Sequence, residues 1–233
     1  MNSDSFLMRE VRGASDSTVF FPGWATDFRV FDNLDLPTNR LLPLDPFSRG
    51  LPDELAAHIR AKGLGCVTLI GWSLGGFVGV DFARRFPELV SRLILCGVRQ
   101  RYPADQIEAM RRGILDDKER ALASFYRQCF LPARKKDYQW FRDELAPHYF
   151  KEMSIGHLVE SLDCLAQAGI SPESLPSHPI CMIHGDRDIV APVSEAAAIA
   201  EGAGNVELHI MRDTGHAAFL TQDSQEVIRQ WLR

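Results

Sequence analysis

The stretch GWSLGG sets Ser73 between Gly71 and Gly75, directly after an apolar run and directly before a helix-like pattern. A serine hydroxyl attacks a carbonyl only when a neighbouring base takes its proton and nearby donors receive the developing charge. The G-x-S-x-G spacing between strand and helix provides an exposed hydroxyl on a sharp turn, the nucleophile elbow. Glycine is needed two residues before and two after, because a side chain at either place would collide with neighbouring backbone. The pattern is short, and a plain glycine-rich strand-to-helix turn would read the same way. Its partners decide.

On sheets that carry such an elbow, an acid and then a histidine follow the serine, each at the end of a later strand. Here CMIHGDRDIVAP and RDTGHAAFL hold that order. Asp188, beside the loop that IVAP terminates, is the favoured acid; Asp186 competes with it and reads better as a turn former. His216 sits in the glycine-marked loop DTGHA, from which a side chain can reach a hydroxyl. His184 lies inside an apolar strand and reads as a core histidine. His216 would take the Ser73 proton while Asp188 orients the imidazole and stabilises its positive form. For the oxyanion, one donor is the N–H of Leu74, directly after the serine and at a helix N-terminus. The second is the N–H of Trp24 in PGWATDF, where Gly23 allows a close approach of backbone; the Trp24 ring can also pack. Nucleophile, base and electrophile are then all protein groups, so no cofactor is expected.

Positioning these residues takes a sheet with helices on both sides. Short apolar runs recur at 17–23, 40–45, 66–72, 92–97, 179–185 and 206–211. Near-continuous apolar strands belong to parallel sheets covered on both faces. Helical patterns alternate with them at 53–63, 76–88, 193–204 and 223–233, the last with Val227, Ile228 and Trp231 on one face. The expected fold class is α/β, a mostly parallel doubly wound sheet. From 101 to 176 the alternation stops, and amphipathic segments such as DKERALASFYRQCF and KDYQWFRDELAPHYF follow one another. We read 1–100 and 177–233 as the core and 101–176 as an inserted helical cap over the C-terminal strand ends, where ligands bind in such sheets.

Composition narrows the class. With 45% hydrophobic and 24% charged residues, the 233-residue chain has the balance of a globular protein. It offers no apolar run long enough to span a bilayer. The segment MNSDSFLMREVRG lacks a signal-peptide apolar stretch, so a cytoplasmic location is expected. Five cysteines without a C-x-x-C pair read as reduced thiols, those in the strand-like runs (Cys66, Cys96, Cys181) buried. Seven histidines without a paired helical spacing make a metal site unexpected. A net charge of −5 argues against nucleic acid as partner, yet residues 101–151 hold eleven Lys or Arg against eight Asp or Glu. That local excess is either a solvated helical face or a surface for an acidic partner.

PGW, GWSLGG, HGDRDIVAP and TGHAAF, in this order around a helical insertion, make the chain resemble the α/β-hydrolase superfamily over nearly its whole length. Within it, GWSLGG, GxxDxxxP and GHAAF are most similar to the pimeloyl-acyl-carrier-protein methyl ester esterases of biotin synthesis, the BioH type. One departure is Pro22 before Gly23, where many relatives carry His-Gly. The resemblance implies serine carboxylesterase chemistry through an acyl-enzyme, with Trp24 at the substrate. It also implies a cap whose basic residues dock an acidic acyl-carrier protein, here Arg111, Arg112, Arg127, Arg134, Lys135, Lys136 and Arg142. Phe125 looks like a family aromatic lining the acyl tunnel, with an ordinary cap-core phenylalanine as the equal alternative. A small-molecule carboxylesterase or thioesterase, a related lyase or carbon–carbon hydrolase, and a non-catalytic ligand-binding protein are the other readings of the same fold.

Overall fold

The computed structural model describes residues 7–13, 16–130 and 135–233. Among them, seven strands form one sheet: β1 (Met8–Val11), β2 (Ser17–Phe21), β3 (Asn39–Pro43), β4 (Val67–Trp72), β5 (Val90–Cys96), β6 (Ile180–Gly185) and β7 (Val206–Met211). Their spatial order is β1-β3-β2-β4-β5-β6-β7, parallel throughout except for β1, which runs antiparallel to β3. Five of the six apolar runs read from the sequence are the inner strands β2 to β6, and the sixth is β7 at an edge. β2, β4 and β6 are buried at every position, and β5 at all but Ser91 and Arg92. Such strands must be covered on both faces, which the flanking helices do.

The two edges differ from the expectation. β1 has the sequence MREV, with no apolar run to reveal it, and pairs Arg9 with Leu42 and Glu10 with Leu41. Charged residues on an edge strand discourage further pairing. At the other edge, β7 keeps only Met211 fully buried, so it is a half-covered strand rather than a central one. Cys66 also falls outside the expected pattern. It lies one residue before β4, exposed, with its Sγ donating to the Glu88 carbonyl at 3.2 Å.

Helices α1 (Leu51–Lys62) and α2 (Leu74–Arg85) flank β4 in sequence. Pro52 in the first turn of α1 and Gly63 at φ 62° just past its end fix its limits. Between β5 and β6 the described residues form helices and no strand: α3 (Ala104–Asp116), α4 (Lys118–Phe130), α5 (Lys135–Trp140), α6 (Ala146–Glu152) and α7 (Ile155–Gln167). Phe141–Leu145 between α5 and α6 is wound as a π-helix. Pro147, two residues beyond it, cannot donate to the Asp143 carbonyl four residues back, which accounts for the widened turn. This segment has its own aromatic core, with ring centroids 4.8 Å apart for Tyr126–Phe141 and for Phe130–Phe141. After β6 come α8 (Val193–Glu201) and, beyond β7, α9 (Gln222–Trp231), whose first turn is capped by Thr221 Oγ1 accepting from the Ser224 N–H at 3.0 Å.

The strand order reverses around β2 and β4, the first going on to β3 on one side and the second to β5 on the other. Loops leaving the carboxyl ends of two such strands diverge and open a crevice. Trp24 follows one of these ends and Ser73 the other.

Candidate active site

Ser73 stands directly between β4 and α2 at φ 53°, ψ −119°, a conformation an L residue takes only under constraint. The constraint is visible in the glycines. A Cβ on Gly71 would lie 2.5 Å from the Gly75 carbonyl oxygen, and one on Gly75 would lie 2.1 Å from the Phe21 carbonyl oxygen. The collision inferred from the sequence pattern is therefore with backbone on both sides. The Ser73 N–H is fixed to the Cys96 carbonyl at 2.9 Å, and Leu74 opens α2. Its N–H is among the first-turn donors that no helical carbonyl can satisfy.

Asp188 and His216 meet at the ends of β6 and β7. His216 Nδ1 lies 2.8 Å from Asp188 Oδ2, with both side chains buried. Asp188 Oδ1 accepts the N–H groups of Val190 and Ala191 at 2.8 Å each. Burial opposes ionisation of Asp188, but the charge and hydrogen bond of His216, the nearby His184 and the Ala191 N–H more than offset it and hold the carboxyl below its usual range. An ionised carboxylate only accepts, so His216 carries its hydrogen on Nδ1 and a lone pair on Nε2. Asp186 does something else: its Oδ1 accepts the Thr214 N–H at 3.2 Å and shapes the loop ahead of His216.

His216 is steadied from two further directions. Trp72 Nε1 donates to its carbonyl at 3.0 Å. Gly97, at φ 59°, leaves room where a Cβ would come within 3.0 Å of His216 Nδ1. The Nε2 atom is buried and makes no hydrogen bond among the described residues. The Ser73 hydroxyl is instead 3.2 Å from the phenol of Tyr102, a buried residue just before α3. His184 is the core histidine anticipated, but a polar one. Its Nε2 donates to the Ala191 carbonyl at 2.6 Å and lies 3.4 Å from Asp188 Oδ2. Burial lowers its pKa.

Ser73 and Trp24 line one cavity of about 460 Å³, walled by Tyr102, Met110, Phe125, Leu162 and Val190 among others. Phe125 lines this cavity and packs edge-on against Trp24 at 4.9 Å. The helices between β5 and β6 thus roof the serine, and hydrogen bonds tie them to the core loops. Trp24 Nε1 donates to Leu158 at 3.1 Å, Tyr126 Oη to Ala25 at 2.6 Å, and the Ala217 N–H to Cys129 at 3.1 Å.

A strained serine elbow, a buried acid–histidine pair and a roofed crevice at the strand reversal coincide with a match to the Alpha/beta hydrolase family model over residues 3–230. The chain belongs to that family. As an α/β hydrolase it is 25% identical to the pimeloyl-[acyl-carrier protein] methyl ester esterase of Chromobacterium violaceum over a 253-residue alignment covering 96% of this chain and 95% of that protein. It is equally 25% identical to the protein of the same name from Nitrosomonas europaea, over 94% and 95% of the two chains. Among solved structures, an esterase from Exiguobacterium antarcticum superposes with a TM-score of 0.79 at 20% identity, over 97% of this chain and 92% of that one. That likeness concerns the fold.

The basic residues of this α/β hydrolase are dispersed. Arg111 pairs with Asp163 at 2.6 Å and with Glu108 at 3.3 Å, and Arg142 with Asp143 at 2.7 Å. Arg112, Arg127 and Lys136 are exposed on α3, α4 and α5. Arg134 and the side chain of Lys135 lie outside the described residues. Sequence reading missed Tyr102, Trp72 and Arg99. Arg99 is buried, ion-paired with Glu195 and hydrogen-bonded to the Val190 carbonyl at 3.1 Å. No pattern marks Tyr102 in RQRYPAD, because its contact with Ser73 depends on where the chain turns into α3.

Proposed function

We propose that this α/β hydrolase is a serine carboxylesterase acting through an acyl-enzyme on Ser73, with the methyl ester of pimeloyl-acyl-carrier protein as its substrate and residues 101–176 as the cap over the site. The observation that carries the reading is Ser73 on a strained elbow, facing a largely apolar cavity and accompanied by the buried Asp188–His216 pair. In this mechanism the Ser73 hydroxyl donates to His216, whose Nε2 lone pair takes its proton. Oγ then attacks the ester carbonyl, and the N–H groups of Leu74 and Trp24 receive the charge on the carbonyl oxygen. His216 gives the proton to the departing alkoxide, methanol leaves, and a water activated by His216 releases the acid. Asp188 remains ionised and stabilises the imidazolium.

The 25% identity to two esterases of that name, over nearly the full length of each, supports the methyl ester as substrate. Arg112, Arg127 and Lys136 supply exposed positive charge for an acidic carrier, on helices that also roof the cavity. One observation favours a second reading, a carboxylesterase for free small esters: Arg111 and Arg142 are neutralised by neighbouring carboxylates. Hydrolysis of pimeloyl-acyl-carrier-protein methyl ester beside a free short-chain ester, by wild type and Ser73→Ala at low and moderate salt, separates them. Turnover of the carrier substrate that needs Ser73 and weakens with salt supports the first reading, since screening weakens a charged docking face. Turnover of the free ester alone removes the carrier.

A further inference from the structure

The contact between Ser73 and Tyr102 is unused by the mechanism just given. The Tyr102 phenol lies 3.2 Å from Ser73 Oγ and lines the same cavity. Its ring is fixed rather than floating. The Arg99 guanidinium sits 5.1 Å over it, and Arg99 is itself held by Glu195 and the Val190 carbonyl. Phe77 flanks the ring at 6.3 Å. Burial pushes the phenol pKa well above its ordinary value, so Tyr102 keeps its proton and offers an O–H.

The direction of this hydrogen bond follows from what Ser73 must do. A serine that donates to His216 Nε2 has only lone pairs left for Tyr102. Once Ser73 is acylated, Oγ is an ester oxygen with no hydrogen, and the contact can survive only with Tyr102 as donor. A donor on Oγ acts unequally in the two halves of the reaction. Before acylation it already holds the resting hydroxyl, so its gain on the charge that Oγ acquires in the attack is small. Before deacylation Oγ is an ester oxygen, a weak acceptor, and the donor gains most as that oxygen leaves and gathers negative charge.

We propose that Tyr102 is a catalytic residue of deacylation, its O–H stabilising Ser73 Oγ as that atom leaves the acyl group; this rests on the acyl-enzyme reading above. Water attacks the acyl carbon and gives its proton to His216 Nε2. The bond from the acyl carbon to Oγ breaks, its electron pair goes to Oγ, and the His216 proton follows. Tyr102 transfers no proton, so its hydrogen bond is present before and after. The oxyanion donors serve a different atom, the carbonyl oxygen.

The test is Tyr102→Phe, which removes one oxygen and keeps the ring. Wild type and variant are mixed with p-nitrophenyl butyrate, and both the acylation constant and the decay of butyryl-Ser73, trapped by acid and read by mass spectrometry, are measured. Acyl-enzyme decay in the variant slows by roughly tenfold to a hundredfold, less than the ~10²–10³ lost with a full oxyanion donor. The acylation constant kcat/KM stays within about threefold, and KM falls with kcat. Equal losses in both constants would mean a structural role, and unchanged decay would mean no role; either overturns the inference while leaving the acyl-enzyme intact. Absence of a butyryl adduct on wild-type Ser73 would instead overturn the acyl-enzyme reading, and the inference with it.

Discussion

Asp188→Asn isolates what the acid does, because the surrounding donors dictate how the amide must sit. Oδ1 receives two backbone N–H groups at 2.8 Å each, from Val190 and Ala191. An amide nitrogen in that place would leave two buried donors unmet, at about 1–3 kcal/mol apiece. The carbonyl oxygen therefore takes the Oδ1 position, and the NH2 group takes that of Oδ2, 2.8 Å from His216 Nδ1. Two donors now face each other unless His216 moves its hydrogen to Nε2. An imidazole with hydrogen on Nε2 cannot accept the Ser73 proton. The expected loss in kcat is therefore of the order seen when a serine-protease triad aspartate becomes asparagine, about 10⁴-fold. Since the Oδ1 contacts survive, stability falls only modestly, by roughly 1–3 kcal/mol for the altered buried bond. Asp186→Asn is the control: its carbonyl oxygen can still accept the Thr214 N–H, so activity stays within about threefold of wild type, the scale of a surface change. Steady-state hydrolysis of p-nitrophenyl butyrate and calorimetric melting provide both readings. Asp188→Asn with kcat within tenfold of wild type, or Asp186→Asn with the larger loss, would refute the reasoning.

Gly75→Ala drives a methyl group to 2.1 Å from the Phe21 carbonyl oxygen, and is expected to cost at least the ~1–3 kcal/mol of overpacking and to abolish esterase activity. Gly79→Ala, on the same helix with its nearest neighbour at 3.6 Å, is expected to raise the melting temperature by the ~0.5–1 kcal/mol that alanine gains over glycine in a helix; thermal melts of the two variants check both. His184 has a folded pKa lowered by burial, so as pH falls below about 6.5 the unfolded chain binds the proton first. Its contribution to stability is complete above that pH and lost toward the depressed folded value; the urea midpoint should fall between about pH 7.5 and pH 5.5, and His184→Gln should flatten the fall. Tyr126→Phe strands the Ala25 carbonyl, which accepts from Tyr126 at 2.6 Å, with an expected loss of about 1–3 kcal/mol, measured by urea denaturation.

The central strands and the residues at their ends were legible because each leaves a local mark. β4 and β6 are continuous apolar runs, and Ser73, Asp188 and His216 each sit in a short stretch whose glycines or turn residues announce a strand end. β1 left no mark, since an edge strand needs neither apolar faces nor periodicity; its existence depends on pairing with β3. Tyr102 was illegible for a related reason. Its phenol reaches Ser73 only because β4 and β5 are neighbours, so that the chain leaving β5 passes over the elbow. The charge count of 101–151 was legible while its use was not, because Arg111 finds its carboxylate on another helix, at Asp163.

The helical segment between β5 and β6 does more than roof the cavity. It holds the chain after β2 through Leu158 to the Trp24 ring, through Tyr126 to the Ala25 carbonyl and through Tyr149 to Asp27. It holds the loop after β7 once, through the Cys129 carbonyl to the Ala217 N–H, one residue from His216. The chain entering it holds the elbow through Tyr102. Ser73 and Ala25 both adopt positive φ, 53° and 58°, conformations that local preference does not supply and that surrounding contacts must impose. The parallel sheet delivers Ser73, Asp188 and His216 to one edge, and these tethers join the neighbouring loops to the helical segment. A change of sequence in the helical segment therefore reaches the loops that carry Trp24 and His216 as well as the wall of the cavity.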